Sequence, residues 1–243
     1  MNLDDIKKAI DHASSIVFFG GAGTSTESNI PDFRTAGGLY SRRETHGMAP
    51  EELLSHGTLV NKPDIFFEYY RNNLIYPDAK PNATHKVLSE WEAMGKLRAV
   101  ITQNIDGLHQ LAGSENVLEL HGSVHRNYCV DCQRQASLSE LLKSTTTIPA
   151  CADCGGMIRP DVVLYGEALD MGVMRRAVDA LQEADFLIVG GTSLVVYPAA
   201  GLIDYYSGEN LLLINRDPTP YDNRAKWVIH DSIGKVLEML NEG

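Results

Sequence analysis

The run Ser15-Ile16-Val17-Phe18-Phe19 passes directly into Gly20-Gly21-Ala22-Gly23-Thr24-Ser25. Five largely apolar residues bounded by glycine are the size of a strand buried on both faces of a parallel sheet. Glycines at its end let the backbone N–H groups approach a ligand's phosphates, the context of a dinucleotide-binding turn. Thr26 stands where the third glycine of G-x-G-x-x-G would be, so this fragment alone leaves a simple tight turn open. Upstream, Leu3, Ile6 and Ile10 share a helical face. Downstream, short apolar runs recur at Leu97 to Thr102, Val117 to Leu120, Phe186 to Val189, Leu211 to Ile214 and Trp227 to Ile229. Helical stripes separate them, such as Met174, Ala177, Val178 and Leu181, or Ile233, Val236, Leu237 and Leu240. This alternation predicts an α/β fold, a doubly wound parallel Rossmann-like sheet.

The alternation breaks where the cysteines lie. Cys129-Val130-Asp131-Cys132 and Cys151-Ala152-Asp153-Cys154 are separated by 18 residues, which gives C-x2-C-x18-C-x2-C, the spacing of a four-cysteine zinc ribbon. Gly155-Gly156 suits the tight turn behind the second pair. Four thiolates fill a tetrahedral shell, so the expected zinc is structural. Two disulfides are the other reading, and the absence of an export signal in Met1 to Gly21 argues against them. The sequence therefore predicts a smaller zinc-ribbon and helical domain beside the sheet. Residues 1–34, 81–124 and 160–243 are assigned to the Rossmann-like dinucleotide-binding domain. The helical insertion 35–80 and the zinc-ribbon insertion 125–159 form the small one.

The 243 residues are 44% hydrophobic and 22% charged, which indicates neither disorder nor a fibrous repeat. A net charge of −11 argues against broad phosphate-backbone binding and favours basic peptides. Phe186 to Ile203 is uncharged over 18 residues, yet Gly190, Gly191 and Pro198 interrupt it, so a strand, a turn and a helix start fit better than a membrane span. A cytoplasmic protein with neither nucleic acid nor membrane as partner is expected.

Gly21-Ala22-Gly23-Thr24-Ser25 runs on into Asn29-Ile30-Pro31-Asp32-Phe33-Arg34. Then come, in order, Thr102-Gln103-Asn104-Ile105-Asp106-Gly107-Leu108-His109, His121-Gly122, the four cysteines, Arg159-Pro160-Asp161-Val162-Val163-Leu164-Tyr165-Gly166-Glu167 and Gly191-Thr192-Ser193-Leu194. This series resembles the sirtuin family of bacterial NAD-dependent protein deacetylases over nearly the whole chain. Asn29 stands where the family usually has glycine, which a positive φ would tolerate. Tyr165 stands where phenylalanine is common and adds a hydroxyl near the expected substrate groove.

The resemblance implies residue roles. His121, at a strand's carboxyl end before a glycine, is the expected general base, with Asn104 as the second catalytic residue. For NAD, Ala22, Gly23 and Thr26 belong to the glycine-rich loop, and Phe33 and Arg34 to the nicotinamide side. Gln103 is placed on the ribose, Ile105 and Asp106 near nicotinamide, and Thr192, Ser193, Asn215 and Asp231 on the adenosine half. An acyl-lysine peptide is expected as an added strand between Val163, Gly166 and Glu167 on one side and Leu194 and Val196 on the other. His109 is read as structural, and His12, His46, His56, His85, His125 and His230 carry no argument for a role.

The reaction implied is attack of the acyl carbonyl oxygen on the ribose carbon as nicotinamide leaves, His121 then acting on the ribose hydroxyls. Products would be nicotinamide, deacylated lysine and O-acyl-ADP-ribose. Two alternatives stay open: mono-ADP-ribosyl transfer on the same scaffold, and a non-catalytic zinc-ribbon nucleotide-sensing module. Sirtuins preferring succinyl-lysine carry a tyrosine and an arginine three residues apart, and an ungapped comparison puts Phe67 and Tyr70 there. Without a cation to meet a carboxylate, acetyl and longer apolar acyl groups are expected, accommodated by Phe67.

Overall fold

A computed structural model describes residues 3–33, 38, 40 and 47–242. Along these residues the strands are β1 (Ile16–Gly20), β2 (Leu97–Thr102), β3 (Val117–Glu119), β4 (Gly122–Cys129), β5 (Gln135–Ser137), β6 (Ile158–Val162), β7 (Phe186–Gly190), β8 (Asn210–Ile214) and β9 (Trp227–Ile229). Every apolar run read from the sequence lies in the six-stranded sheet, whose order is β3-β2-β1-β7-β8-β9 with all pairings parallel. Counted within that sheet the order is 3-2-1-4-5-6, the doubly wound dinucleotide-binding order, which reverses between β1 and β7. Gly20 pairs with Thr102 on one side and Gly190 on the other, so these strands reach the carboxyl edge together.

Side-chain alternation along β1 divides the core. Ile16 and Phe18 face helices Leu3–His12, Ala83–Ala93 and Ile233–Asn241, packing with Ile6, Leu88, Ile188 and Leu237. Val17 and Phe19 face helix Met171–Glu183 and the 3₁₀ segment Ala199–Tyr205, packing with Ala177, Leu181, Val189 and Ile203. Each fully buried phenylalanine contributes roughly 1.5–3 kcal/mol of transfer free energy, enough to fix the register of a five-residue strand. The uncharged stretch from Phe186 divides into β7, a turn and that 3₁₀ segment. No helix among the described residues is long and apolar enough to cross a membrane.

A second sheet, β5-β4-β6, is antiparallel and spans Gly122 to Val162, slightly wider than segment 125–159. Helices His56–Asn61 and Pro63–Asn73 pack over it, and Phe66, Phe67 and Tyr70 share one core with Val124, Leu141, Val162 and Leu164. Residues from 48–75 and from 124–164 thus bury apolar surface against each other, which neither segment is large enough to do alone.

Candidate active site and cysteine cluster

The glycine-rich turn is shaped by contact with a second glycine turn. Gly21 and Gly23 donate their N–H groups to Gly190 O (3.3 Å) and Gly191 O (2.8 Å) at the end of β7. A Cβ on Gly23 would lie 2.6 Å from Gly191 Cα, and one on Gly191, where φ is +60°, would lie 2.5 Å from Thr24 N. Glycine is thus required for close backbone approach, and these two N–H groups are spent inside the protein, contrary to the expectation that they face phosphates. The 3₁₀ segment Ala22–Ser28 comes next and ends at Asn29, whose φ of 62° is the left-handed conformation that asparagine tolerates. Thr26 stands where a third glycine would be and donates its hydroxyl to Gly23 O at 3.0 Å.

A cleft runs along the carboxyl edge of the sheet over this turn. Ala22, Gly23, Thr26, Phe33, Gln103, Asn104, His121, Thr192, Ser193, Asn215 and Asp231 all line it. Ile105 and Asp106 line a cavity that adjoins it. Arg34 lies outside the described residues; every other expected catalytic and cofactor residue thus falls in one of these two cavities. Arg216 and Glu27 also line the cleft and were not anticipated; Arg216 directly follows Asn215 at the end of β8, a strand-end signal that could have found it.

His121 Nδ1 lies 2.9 Å from Gln103 O. A carbonyl oxygen only accepts, so Nδ1 carries the proton and Nε2 keeps its lone pair, the tautomer a general base needs. Burial pushes its pKa below the ordinary histidine value, and the bond to Gln103 partly opposes this. Asn104 donates through Nδ2 to Thr24 Oγ1 (2.9 Å) and Ser25 Oγ (3.0 Å), which leaves its carbonyl oxygen for a ligand. Ser25 in turn donates to Asp106 Oδ2 at 2.7 Å, and Leu108 N–H donates to Oδ1 at 2.9 Å. Burial raises the Asp106 pKa, with both bonds opposing it. Thr24 and Ser25 act as the partners that orient Asn104, and they sit directly after the glycine turn. Gln103 donates through Nε2 to Thr192 Oγ1 at 3.2 Å, tying β2 to the turn after β7.

The adjoining cavity is the more apolar and shares Ala22, Phe33, Gln103, Asn104 and Tyr165 with the cleft. Val163 lines it too. Val196 lines the first cavity, whereas Gly166 and Glu167 border an outer groove on the far side of Val163. Leu194 does not face either: it is 2% exposed and packs in the core under the sheet, its backbone at a φ of 55°. Glu167 is held internally, accepting from Arg159 Nη1 (2.7 Å) and Nη2 (3.0 Å) and from Leu164 N–H (2.9 Å), with His56 Nδ1 at 2.9 Å. Burial would raise its pKa, but Arg159, Leu164 and His56 outweigh that and bring it down to about 2.

Phe67 and Tyr70 do not reach the adjoining cavity. Both are completely buried in the small core, because the helix Pro63–Asn73 turns that face toward Leu141 and Val162. The cavity wall comes instead from the last residue of this helix, Asn73, and from Leu74 and Tyr76 just beyond it. Arg71 donates to Leu141 O and Thr146 O, so its charge is engaged elsewhere.

Cys129, Cys132, Cys151 and Cys154 bring their sulfur atoms within 4.8 Å of one another. Cys129–Cys154 is 3.4 Å and Cys132–Cys151 is 3.7 Å, close to the edges of a tetrahedron with zinc–sulfur bonds of about 2.3 Å. Each pair sits on a turn, with Gln133 N–H bonded to Cys129 O and Gly155 N–H to Cys151 O. Arg134 Nε donates to Cys151 Sγ at 3.3 Å, which with nearby backbone N–H groups draws that thiol down to about 6 and favours the ligating thiolate. The donor set fits zinc.

Comparison with known proteins finds relatives over nearly the whole chain. A family model described as the Sir2 family matches residues 21–198. An "NAD-dependent protein deacetylase" of Clostridium acetobutylicum is 59% identical over 238 residues, covering 98% of this chain and 97% of that one. Its counterpart in Clostridium perfringens is 56% identical over 97% of this chain and 96% of that one. Among solved structures, a Sir2 complex with a p53 peptide and NAD+ superposes with a TM-score of 0.88 at 34% identity, covering 100% of this chain and 98% of that one. A Sir2 variant with a deacetylated p53 peptide and 3′-O-acetyl ADP-ribose reaches 0.91 at 34% identity over the same shares.

Proposed function

The chain belongs to the Sir2 family and is an NAD-dependent protein deacetylase, and on that footing we propose how its own residues divide the work. NAD supplies an ADP-ribosyl group already activated by a neutral nicotinamide leaving group, so the chain mainly positions reactants and excludes water. Ala22, Gly23 and Thr26 line the pyrophosphate end, Gly23 by leaving room for close approach and not through its N–H, and Thr192, Ser193, Asn215 and Asp231 hold the adenosine half. Phe33 covers the nicotinamide end, with Ile105 and Asp106 on the pocket wall. Gln103 contacts the ribose, and Asn104 presents its carbonyl oxygen there, its amide held by Thr24 and Ser25. His121 takes a proton from a ribose hydroxyl at Nε2 while Nδ1–H stays bonded to Gln103 O.

The acyl-lysine of a protein or peptide lies between Val163 and Val196, its backbone added as a strand along Val163 to Glu167. Glu167 serves this groove indirectly, by bracing Leu164 N–H, whereas Leu194 is buried in the core below the turn that carries Val196 in sequence. The cysteines hold a structural zinc that stabilises the small domain formed by 35–80 and 125–159. Cysteines used as zinc ligands suit a reducing, cytoplasmic setting, and the acidic charge supports basic peptides over nucleic acid.

The observation that carries this reading is the shared wall of the two cavities, with Phe33, Gln103 and Asn104 between them and His121 bonded to Gln103. Mass spectrometry of products from NAD and an acetyl-lysine peptide tests it. Nicotinamide, deacetylated peptide and O-acetyl-ADP-ribose are expected. ADP-ribosylated peptide without deacetylation would replace this reaction with mono-ADP-ribosyl transfer.

A further inference from the structure

Tyr40 and Tyr165 meet across the site with their hydroxyl oxygens 2.6 Å apart, a good O–H···O hydrogen bond. Each ring hangs from anchored backbone. Tyr165 donates its N–H to Leu54 O at 3.1 Å and accepts at its carbonyl from His56 N–H at 3.0 Å, so it belongs to the groove wall. Tyr40 donates its N–H to Phe33 O at 2.9 Å, and its ring meets Phe33 edge-on at 5.8 Å. Gly38, between them in sequence, is crowded, since a Cβ there would lie 2.7 Å from Asp32 O. Phe33 and Tyr165 both line both cavities.

We propose that the Tyr165 hydroxyl is a positioning group that, through Tyr40, fixes Phe33 at the boundary between the cofactor cleft and the acyl-lysine cavity. The inference rests on reading the cleft as the NAD site. A phenylalanine at 165 would have no atom with which to make the link, so the coupling depends on the tyrosine hydroxyl. Burial, helped by Tyr165 itself, holds Tyr40 well above the ordinary phenol range. Tyr40 therefore enters the link as a neutral hydroxyl. The link joins the peptide-side wall to the cofactor-side aromatic, so an occupant of either cavity that orders one ring orders the other and favours the second ligand.

Titration calorimetry of NAD into the full chain tests this with Tyr165→Phe, Tyr40→Phe and the double variant. Tyr165→Phe keeps the ring and removes only the hydroxyl, and its Kd for NAD is expected to rise about fivefold, the worth of one such bond. In the Tyr40→Phe background, Tyr165→Phe is expected to add no further weakening. In turnover, KM for NAD is expected to rise by more than kcat falls. A Tyr165→Phe variant that binds NAD as the unmodified protein does, or weakening that multiplies in the double variant, overturns the proposal. Failure of the unmodified protein to bind NAD would remove the cofactor reading and this inference with it, an outcome distinguishable from the other two.

Discussion

As the proposed general base, His121 would work only as the neutral imidazole, and the fold favours that form by burying it. A lowered pKa moves the acid limb of the rate profile downward: the base is intact above its pKa and lost as pH falls through it. The acid limb of kcat/KM for the peptide is therefore expected below pH 6.5, the unperturbed histidine value. A limb well above that value would assign the titration to another group. His121→Ala is expected to cost about 100-fold or more in deacetylation while NAD still binds, and near-normal turnover would take His121 out of the mechanism. His121 was legible because a strand end followed by glycine marks the ligand edge of such a sheet. Glu167 and Leu194 were harder to read, since sequence distance says nothing about whether a carboxylate meets Arg159 or whether a leucine turns into the core.

Two local assemblies carry consequences of their own. The cysteine cluster lies where β4 leads out and β6 leads back, so metal bound there closes the end of the small sheet. Because zinc binding is coupled to folding, Cys129→Ala or Cys151→Ala is expected to unfold this region and abolish activity indirectly. Full activity and an unchanged melting curve after exhaustive chelation would show that no structural metal is needed. In helix Pro63–Asn73 the sequence expectation and the packing differ. An ungapped comparison put Phe67 and Tyr70 at the acyl group, whereas the helix buries that face, and Asn73, Leu74 and Tyr76 at and beyond its end line the cavity. The cavity lining offers a different ground for the same specificity prediction. Among the described residues no lysine or arginine lines the proposed acyl cavity, so a succinyl carboxylate there would be buried without a cation. Acetyl, butyryl and succinyl peptides compared by kcat/KM are expected to show succinyl as the poorest, by about tenfold or more given a penalty of at least 1–3 kcal/mol. Succinyl as the best substrate would mean that a cation enters the cavity.

The packing of helix Ala83–Ala93 against Leu108–Ala112 couples the whole fold to pH. His85 and His109 are 0% and 1% exposed, with ring centroids 4.6 Å apart. His85 Nε2 and both His109 ring nitrogens find no hydrogen-bond partner among the described residues. Burial lowers His85 from 6.5 to about 4 and His109 well below 6.5, with His85 adding to the latter. Both histidines are neutral in the fold while the unfolded chain takes up protons below pH 6.5. Stability is thus complete above that value and falls as pH drops toward the folded pKa, by about 3 kcal/mol from His85 alone once pH 4 is reached. Urea unfolding between about pH 7 and pH 5, mostly above carboxylate titration, is expected to show this loss, and a flat profile would contradict it. The strands, the glycine turn, the cysteine pairs and the strand-end histidine could all be read along the chain, because each depends on neighbours a few residues away and on a repeating burial pattern. The His85–His109 pair, the Tyr40–Tyr165 bond across 125 residues and the inward turn of Phe67 could not. Those contacts exist only once separate segments pack, because burial against a distant surface, not local periodicity, sets where each ring comes to rest.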